Sequence, residues 1–231
     1  MASAARFLAP WEIDSIAGIA VVVDVLRAFT TAAYAFAASA ERIYLAAGVT
    51  EALDLARHIP GALVMGEDRG RRPAGFDLPN SPVLVSQADL SGRSLVQRTS
   101  AGTRGVIAAA HVPAVFAASL VCATATANAV AALTDEPPIY VLSGRFSDAE
   151  GAGADDLLTA ELIERARSGW PLGAANTARA VANSAEARRT LALGSPHAHP
   201  DDVVLATAVD AFDFAMRVER GDDRQWLTAV R

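Results

Sequence analysis

The sequence predicts an α/β fold in which three layers, α/β/α, are built around a mostly parallel sheet. Short β-branched runs alternate with longer alanine-rich segments along the chain, which is the pattern of consecutive βα units. The 231 residues are 52% hydrophobic and only 20% charged, which is enough apolar surface to cover such a sheet on both faces. No Gly/Ser-rich or Pro-rich linker divides the chain, so we expect a single compact domain over 1–231, divided at most into two lobes.

Six apolar runs are predicted as strands: 19–25, 42–46, 62–66, 94–98, 114–118 and 139–143. Seven segments are predicted as helices: 27–40, 49–58, 102–111, 123–134, 155–168, 175–192 and 201–220. The last helix is expected to begin in HPDD, with Asp201 or Asp202 as its N-cap. The stretches 66–82 and 144–154 show no periodicity, and loops of that length in an α/β protein are usually functional or mobile.

Composition favours a small molecule over nucleic acid or a membrane as the partner. The net charge is −6 and no block of basic residues occurs, whereas nucleic acid and anionic membranes are bound through concentrated positive charge. All 20 basic residues are arginine, which excludes a lysine Schiff base and a P-loop lysine. The apolar composition is compatible with a homodimer and leaves the oligomeric state open.

The sequence also predicts a soluble, cytoplasmic protein. Cys122 is alone, so no intrachain disulfide is expected and a reducing compartment is the natural default. The first fifteen residues, MASAARFLAPWEIDS, reach acid and proline too early for a signal peptide. No apolar run reaches the roughly 18 residues that a membrane span needs.

Polar side chains follow the predicted strands, at the edge where open α/β sheets bind their ligands. The set comprises Asp24, Arg27, Glu67, Arg69, the segment 99–104, Asn128 and Arg145. Carboxylates at such an edge can ligate a hard cation such as Mg²⁺. For Asp24 and Arg27 the alternative is a helix cap with its ion-pair partner, and Arg145 either contacts an acidic ligand or faces solvent.

Two predicted helix starts carry further candidate chemistry. In TSAGTRG, residues 99–105, the exposed N–H groups, the glycine and Arg104 suit a phosphate or sulfonate, although Thr or Ser before a helix is also a common N-cap. Asp155 and Asp156 open another helix, where the helix dipole alone accounts for at least one of them. The other carboxylate is then left for metal binding or proton transfer.

Missing motifs exclude several other kinds of site. The four histidines lack metal-ligand spacing, and no Ser-His-Asp order, Cys-His order or Gly-x-Ser-x-Gly elbow is present. No GxGxxG follows the first strand, which disfavours a dinucleotide-dependent oxidoreductase. Cys122 lacks the arginine-bearing loop of a cysteine-based phosphatase and is expected to be a small buried residue.

Several elements occur in order over nearly the whole chain: VVVDVLRAFTT at 21–31, GED-R and GFDLPNSP within 66–82, TSAGTRG at 99–105, Asn128 in ANAVA, and the acidic pair 155–156. Together they resemble the 2-phosphosulfolactate phosphatase, or ComB, family of coenzyme M biosynthesis. The combination of GFDLPNSP with DVLRAFTT is the most specific part of the resemblance.

The resemblance implies a cytoplasmic, Mg²⁺-dependent phosphatase that converts 2-phosphosulfolactate, a small acidic phosphomonoester, to sulfolactate and phosphate. It implies catalytic roles for Asp24, Arg27 and Asp156, and metal ligation by Asp24, Glu67 and Asp155. It further implies contacts to phosphate or sulfonate from nine residues: Arg69, Asn80, Ser81, Thr99, Ser100, Gly102, Thr103, Arg104 and Asn128. Arg145, after the sixth predicted strand, is a further candidate for such a contact.

Two motifs depart from the pattern of the family. Its anion loop usually reads Thr-Thr-Asn-Gly-Thr, whereas this chain has Ala101 in place of the asparagine. Its acidic pair is usually Glu-Asp, whereas this chain has Asp155 and Asp156. The alternative function is therefore a non-catalytic, anion-binding or regulatory relative that has kept the pocket.

Overall fold

The structure, a computed structural model, describes residues 5–13, 18–145, 152–221 and 223–231. Its strands are β1 Arg6–Leu8, β2 Ile19–Val23, β3 Arg42–Leu45, β4 Leu63–Gly66, β5 Leu78–Pro79, β6 Ser94–Arg98, β7 Ala114–Ala118, β8 Ile139–Leu142, β9 Ala215–Gly221 and β10 Arg224–Val230. Its α-helices are α1 Ala28–Ala37, α2 Val49–Arg57, α3 Pro82–Ser86, α4 Gly102–Ala108, α5 Ala123–Ala131, α6 Ala154–Arg167, α7 Ala174–Ala182, α8 Ala185–Leu193 and α9 Asp202–Ala206. Residues 146–151 of the predicted loop 144–154 lie outside the described residues.

These strands form one sheet in the order β1-β8-β2-β7-β9-β10-β3-β6-β4-β5. Pairing is parallel within two groups, β1-β8-β2-β7 and β3-β6-β4-β5. The antiparallel hairpin β9-β10 lies between the groups and pairs with each of them over only two residues. The predicted α/β class with a mostly parallel sheet is confirmed.

Three successive antiparallel pairings reverse the strand direction between the two groups. Loops that follow strands of both groups nevertheless line one cavity, those after β2 and β8 from one group and those after β4 and β6 from the other.

Residues of β2 alternate between two buried faces of the sheet. Val21 and Val23 belong to a core that contains residues of α5 and α6, whereas Ala20 and Val22 belong to a core that contains residues of α1 and α4. All five residues of β2 are buried, as expected for a parallel strand that is covered on both faces. Because β2 is rigidly packed in this way, the residues that follow it are held in a fixed position.

The predicted helix 201–220 is wrong beyond residue 206. After the short α9, the chain forms β9: Met216 and Val218 of this strand, with Phe214 just before it, lie in one hydrophobic core, and Ala215 lies in the other. Ala, Met, Arg and Glu are good helix formers, but pairing with β7 and β10 outweighs that local preference. Asp201 stands at the N-cap position of α9 without a side-chain cap hydrogen bond.

The predicted helix 175–192 is also wrong, because it is two helices, α7 and α8. Ser184 starts the second, and its Oγ accepts the Ala187 N–H at 3.0 Å. The elements β1, β5, β10 and α3 were not predicted. Among the helices that the structure describes, none is long and apolar enough to cross a membrane.

Candidate active site

A cavity of about 340 Å³ opens where the loops after β2, β4, β6 and β8 meet α6 and α8. Its lining includes predicted site residues from four separate parts of the chain. The lining residues are Asp24, Leu26, Arg27, Glu67, Arg69, Gly70, Asn80, Ser100, Ala101, Gly144, Asp155, Asp156, Glu186, Arg189, Thr190 and Leu193. The structure therefore places a concave, carboxylate-rich site where these segments meet.

Asp24 lies one residue beyond β2 and is 6% exposed. Its Oδ1 accepts the Ala28 N–H at 2.9 Å. Burial is the main reason that the pKa of Asp24 is raised to about 7; the negative charge of Glu67 raises it further, whereas the N–H groups of Ala28 and Gly102 lower it in part. The carboxyl group can therefore exchange a proton near neutral pH.

Asp155 and Asp156 occupy the first turn of α6 and are each 2% exposed. Asp156 is fully engaged, since Oδ1 accepts the Val25 N–H at 3.0 Å and Oδ2 accepts the Gly144 N–H at 2.6 Å. Asp155 Oδ1 has no hydrogen-bond partner. Asp156 thus ties α6 to the loops after β2 and β8, while Asp155 keeps a free acceptor in the cavity.

The pKa values of this pair are both raised, and burial is the main cause for each. The charges of Glu186 and Asp24 add to burial at Asp155, whose pKa rises to about 7. The charges of Asp155 and Asp24 add to burial at Asp156, whose pKa lies well above its usual range. Several acids that raise one another's pKa in a cleft are typical of a functional site.

Glu67, 7% exposed, connects the loop after β4 to the loop after β6. Its Oε1 accepts the Ser100 N–H at 2.5 Å, and its Oε2 accepts the Ser100 hydroxyl at 3.0 Å and the Gly70 N–H at 2.5 Å. Arg69 lies between these contacts with φ of 51°, is exposed at the cavity, and donates its N–H to Ser100 Oγ at 2.9 Å. Both Glu67 oxygens are therefore already occupied by the protein.

Arg27 is 4% exposed and is held from three directions. Its Nη1 donates to Asp202 Oδ2 at 3.0 Å and to the His197 carbonyl at 2.9 Å, and its Nη2 donates to the Gly70 carbonyl at 3.3 Å. Ser81 lies behind this ion pair, since its hydroxyl donates to Asp202 Oδ1 at 2.6 Å. Arg27 therefore contributes a fixed positive charge to the cavity wall, and Ser81 helps to hold it.

Asn80 precedes this serine, lines the cavity, and is 4% exposed. Its Oδ1 has no hydrogen-bond partner. A buried amide oxygen without a partner at a cavity wall is suited to accept a hydrogen bond from a ligand.

The predicted anion loop TSAGTRG divides into cavity residues and helix-start residues. Ser100 and Ala101 line the cavity. Thr99 and Thr103 are instead buried and satisfy each other: Thr99 Oγ1 accepts the Thr103 N–H, and Thr103 Oγ1 accepts the Thr99 N–H, both at 3.0 Å. Their hydroxyl groups therefore stabilise the start of α4 and do not line the cavity.

Two arginines and one asparagine of the predicted set are not among the residues that line the cavity. Arg104 is exposed on α4. Asn128 is exposed on α5 because the opposite face, with Ala127 and Val130, packs into the core, and it lines a different surface depression beside Asp210. Arg145 follows Gly144 but does not line the cavity itself.

Two parts of the site were not predicted as site residues. On α8, Glu186, Arg189, Thr190 and Leu193 line the cavity, and Leu193 packs against Gly70. Asp202 is fully buried between Arg27 and Ser81. Both lie far along the chain from the strands that carry the rest of the site. The Asn-Ser pair before α8 and the second aspartate of HPDD were the only local features that marked them.

The Mg²⁺ ion implied by the resemblance can be tested against the side chains present. Within the described ranges, no three His, Cys, Asp or Glu side chains are placed to hold one metal ion together. Mg²⁺ usually takes only one or two protein carboxylates and completes its shell with water and substrate oxygens. Asp155 fits that role because its buried Oδ1 lacks a partner, so the residues fit a Mg²⁺ ion with few protein ligands.

Comparison with known proteins identifies the family. Residues 8–199 match the family model for 2-phosphosulpholactate phosphatase. A Bacillus subtilis (strain 168) protein named "Probable 2-phosphosulfolactate phosphatase" is 31% identical over 206 residues, 88% of each chain. A protein of the same name from Parasynechococcus marenigrum (strain WH8102) is 33% identical over 197 residues, 84% of this chain and 78% of the relative. With the carboxylate-lined cavity in place, these matches show that the chain belongs to the 2-phosphosulfolactate phosphatase family, a family of phosphoric monoester hydrolases.

Proposed function

We propose that the protein is a Mg²⁺-dependent phosphatase that hydrolyses 2-phosphosulfolactate, a small acidic phosphomonoester, to sulfolactate and phosphate. The observation that carries this proposal is the meeting of Asp24, Asp155 and Asp156 with Arg27 and Arg69 at one cavity. The names of the relatives support the choice of substrate. The cavity volume, about 340 Å³, suits a molecule of this size.

The charge of the cavity supports a requirement for a divalent cation. Five carboxylates and three guanidinium groups are among its lining residues, so the fully ionised lining carries two net negative charges. A substrate with phosphate, carboxylate and sulfonate groups would be repelled by that lining alone. When bound, Mg²⁺ would supply Lewis-acid stabilisation of charge on the phosphoryl oxygens, and Asp155 would be one of its ligands.

The side chains of the protein would position the ester and move the proton. Arg27, fixed by Asp202, and the exposed Arg69 would attract the anionic groups of the substrate. Asp24, with its pKa raised to about 7, would act either as the base that activates water or as the nucleophile that attacks phosphorus. Asp156 would hold the loops around Asp24 and Gly144 in a fixed position relative to each other, because it accepts a backbone N–H from each loop.

Phosphate release is the direct test of this function. The full chain would be incubated with 2-phosphosulfolactate, with phospholactate, which lacks the sulfonate, and with 3-phosphoglycerate, each with Mg²⁺ or with EDTA. We expect release that needs Mg²⁺ and is fastest with the sulfonate ester, and we expect Asp24→Asn to lower kcat by about 100-fold or more. Folded protein that releases no phosphate from any ester would overturn the proposal.

Ala101 supports a second candidate, a non-catalytic anion-binding relative. This methyl group lines the cavity at the position where the family pattern has asparagine. If this alternative holds, binding of the ester to the folded protein raises its Tm, but the ester is recovered without hydrolysis. Ala101→Asn would then raise turnover from the background, whereas brisk turnover by the unmodified protein rejects the alternative.

A further inference from the structure

Two carboxylates of the cavity each retain one buried oxygen without a hydrogen-bond partner. The atoms are Asp155 Oδ1 and Glu186 Oε2. Asp155 is 2% exposed and Glu186 8% exposed, and both line the cavity. Because buried polar atoms in native proteins are nearly always paired, two such carboxylate oxygens at one cavity indicate a missing partner.

The other carboxylates of the lining are already engaged by the protein. Both oxygens of Glu67 and both oxygens of Asp156 accept hydrogen bonds, and Asp24 Oδ1 accepts the Ala28 N–H. Glu186 is held by its neighbour, since Arg189 Nη1 donates to Glu186 Oε1 at 3.2 Å. The other Glu186 oxygen, Oε2, is the one that this contact leaves without a partner.

We propose that Asp155 and Glu186 are the two protein ligands of a divalent cation in this cavity, with water and substrate oxygens completing its shell. The inference rests on the proposed function for the identity of the cation, and it assigns the ligand role to Glu186 in place of Glu67 and Asp24. Two hard oxygen donors from α6 and α8 match the small number of protein ligands that Mg²⁺ usually takes. The two side chains line the same cavity, where a cation could meet both carboxylates.

Calorimetric titration of the full chain with MgCl₂, without substrate, tests the assignment. We expect the unmodified protein to bind Mg²⁺. We expect Glu186→Gln and Asp155→Asn each to raise the Kd for Mg²⁺ by about tenfold or more. Glu161→Gln, an exposed acid on α6, is the matched control and should leave the Kd within about twofold. Glu67→Gln tests the competing assignment and should also leave the Kd within about twofold.

A second readout separates ligation from a merely structural role. Glu186→Gln removes a buried negative charge near Asp155, so the metal-free variant should melt at the same Tm as the unmodified protein or higher, while losing the Mg²⁺-induced rise. If the Glu186→Gln variant does not fold, Glu186→Asp is measured in its place, because it retracts the carboxylate by one methylene. The same loss of Mg²⁺ affinity is expected.

Unchanged Mg²⁺ affinity in both ligand variants, or loss of affinity in Glu67→Gln alone, would overturn the inference. Absence of Mg²⁺ binding to the unmodified protein would overturn it as well. Failure of the proposed function is a different result, in which Mg²⁺ binds through these residues but no ester releases phosphate.

Discussion

Asp202 shows how a single buried residue organises the candidate site. Its Oδ2 accepts hydrogen bonds from Arg27 and the His199 N–H at 3.0 Å each, and its Oδ1 accepts from the Ser81 hydroxyl at 2.6 Å. These contacts join the segments after β2, β5 and α8 around one carboxylate. Without it, the guanidinium of Arg27 would be a buried charge that lacks its counterion.

We therefore predict that Asp202→Ala lowers the free energy of unfolding by about 3–5 kcal/mol, the usual cost of breaking a buried ion pair. Urea unfolding followed by circular dichroism measures this change. Asp201→Ala is the control, because the Asp201 side chain is 67% exposed, and it should stay within about 0.5 kcal/mol. A loss below about 1 kcal/mol for Asp202→Ala would show that Arg27 does not depend on this partner.

Gly102 is required where α4 meets the site. A Cβ atom there would lie 2.7 Å from Ala28 Cβ and 2.9 Å from Asp24 Oδ2. We expect Gly102→Ala to cost about 1–3 kcal/mol of stability and to displace Asp24, which would lower kcat. Gly48→Ala is the control, since a Cβ atom at Gly48 meets nothing within 4 Å, and it should cost below about 1 kcal/mol. Full activity in Gly102→Ala would contradict the placement of Asp24.

At the residue scale, the sequence could predict the residues that directly follow strands but not those that reach the site from afar. Asp24, Glu67 and Ser100 follow strands whose apolar runs are easily recognised, and the structure places all three at the cavity. Glu186 is on a helix with no strand before it, so no local pattern marks it. Asn128 lies away from the cavity, because a helix position alone does not decide which face of the helix is buried.

At the element scale, α6 is anchored to β8 by a small charged network. Glu164 accepts hydrogen bonds from Tyr140 at 2.9 Å and from Arg167 at 2.6 and 2.9 Å. Partial burial alone would raise the pKa of Glu164, but the hydrogen bonds from Arg167 and Tyr140 outweigh it and the pKa is lowered. The network therefore stabilises the fold while Glu164 is ionised.

The sign of this effect gives a pH prediction. Since the folded pKa is below the unfolded one, the stabilisation is complete above the unfolded pKa of about 4.3 and is lost as pH falls through the folded value. Glu164→Gln should thus lower the free energy of unfolding at pH 7, by about 1 kcal/mol, and the deficit should shrink below about pH 4. Urea unfolding at pH 7 and pH 3.5 measures this deficit in the free energy of unfolding. Glu161→Gln, at an exposed residue, is the control. A deficit that is equal at both pH values would contradict the role of the charge.

The elements that sequence reasoning missed are those that depend on distant partners. Residues 94–98 and 114–118 are strands over the predicted ranges, because each is a short segment between turns that is centred on apolar residues, Leu95 and Val96 in one and Val115 and Phe116 in the other. At β9, by contrast, the alternation of Phe214, just before the strand, with Met216 and Val218 competes with helix-forming neighbours, and the partner strand β10 pairs with β3, far away along the chain. Non-local pairing of this kind leaves only a weak mark on local sequence.

At the scale of the whole molecule, the two parallel groups of strands share one core and one site. Residues from both groups, among them Val22, Val115, Ile43 and Leu95, lie in the same hydrophobic cluster as Leu227 of the hairpin. Contacts also cross between the groups near the cavity, where Gln97 Nε2 donates to the Ala28 carbonyl at 2.9 Å. The hairpin joins the groups over few residues, but the shared core makes their stability interdependent.

This shared core predicts that the whole chain unfolds in one cooperative step, as the single compact domain expected from the sequence should. Urea transitions followed by far-UV circular dichroism and by tryptophan fluorescence, which includes Trp226 of the hairpin, should coincide. Leu227 is fully buried, so Leu227→Ala should move both transitions together and lower the free energy of unfolding by about 2–5 kcal/mol. Leu133→Ala, at a leucine that is 52% exposed, is the control and should change the free energy of unfolding by at most about 0.5 kcal/mol. Two separate transitions, with only one of them shifted by Leu227→Ala, would show instead that the two groups of strands are independent units and that the site is assembled between them.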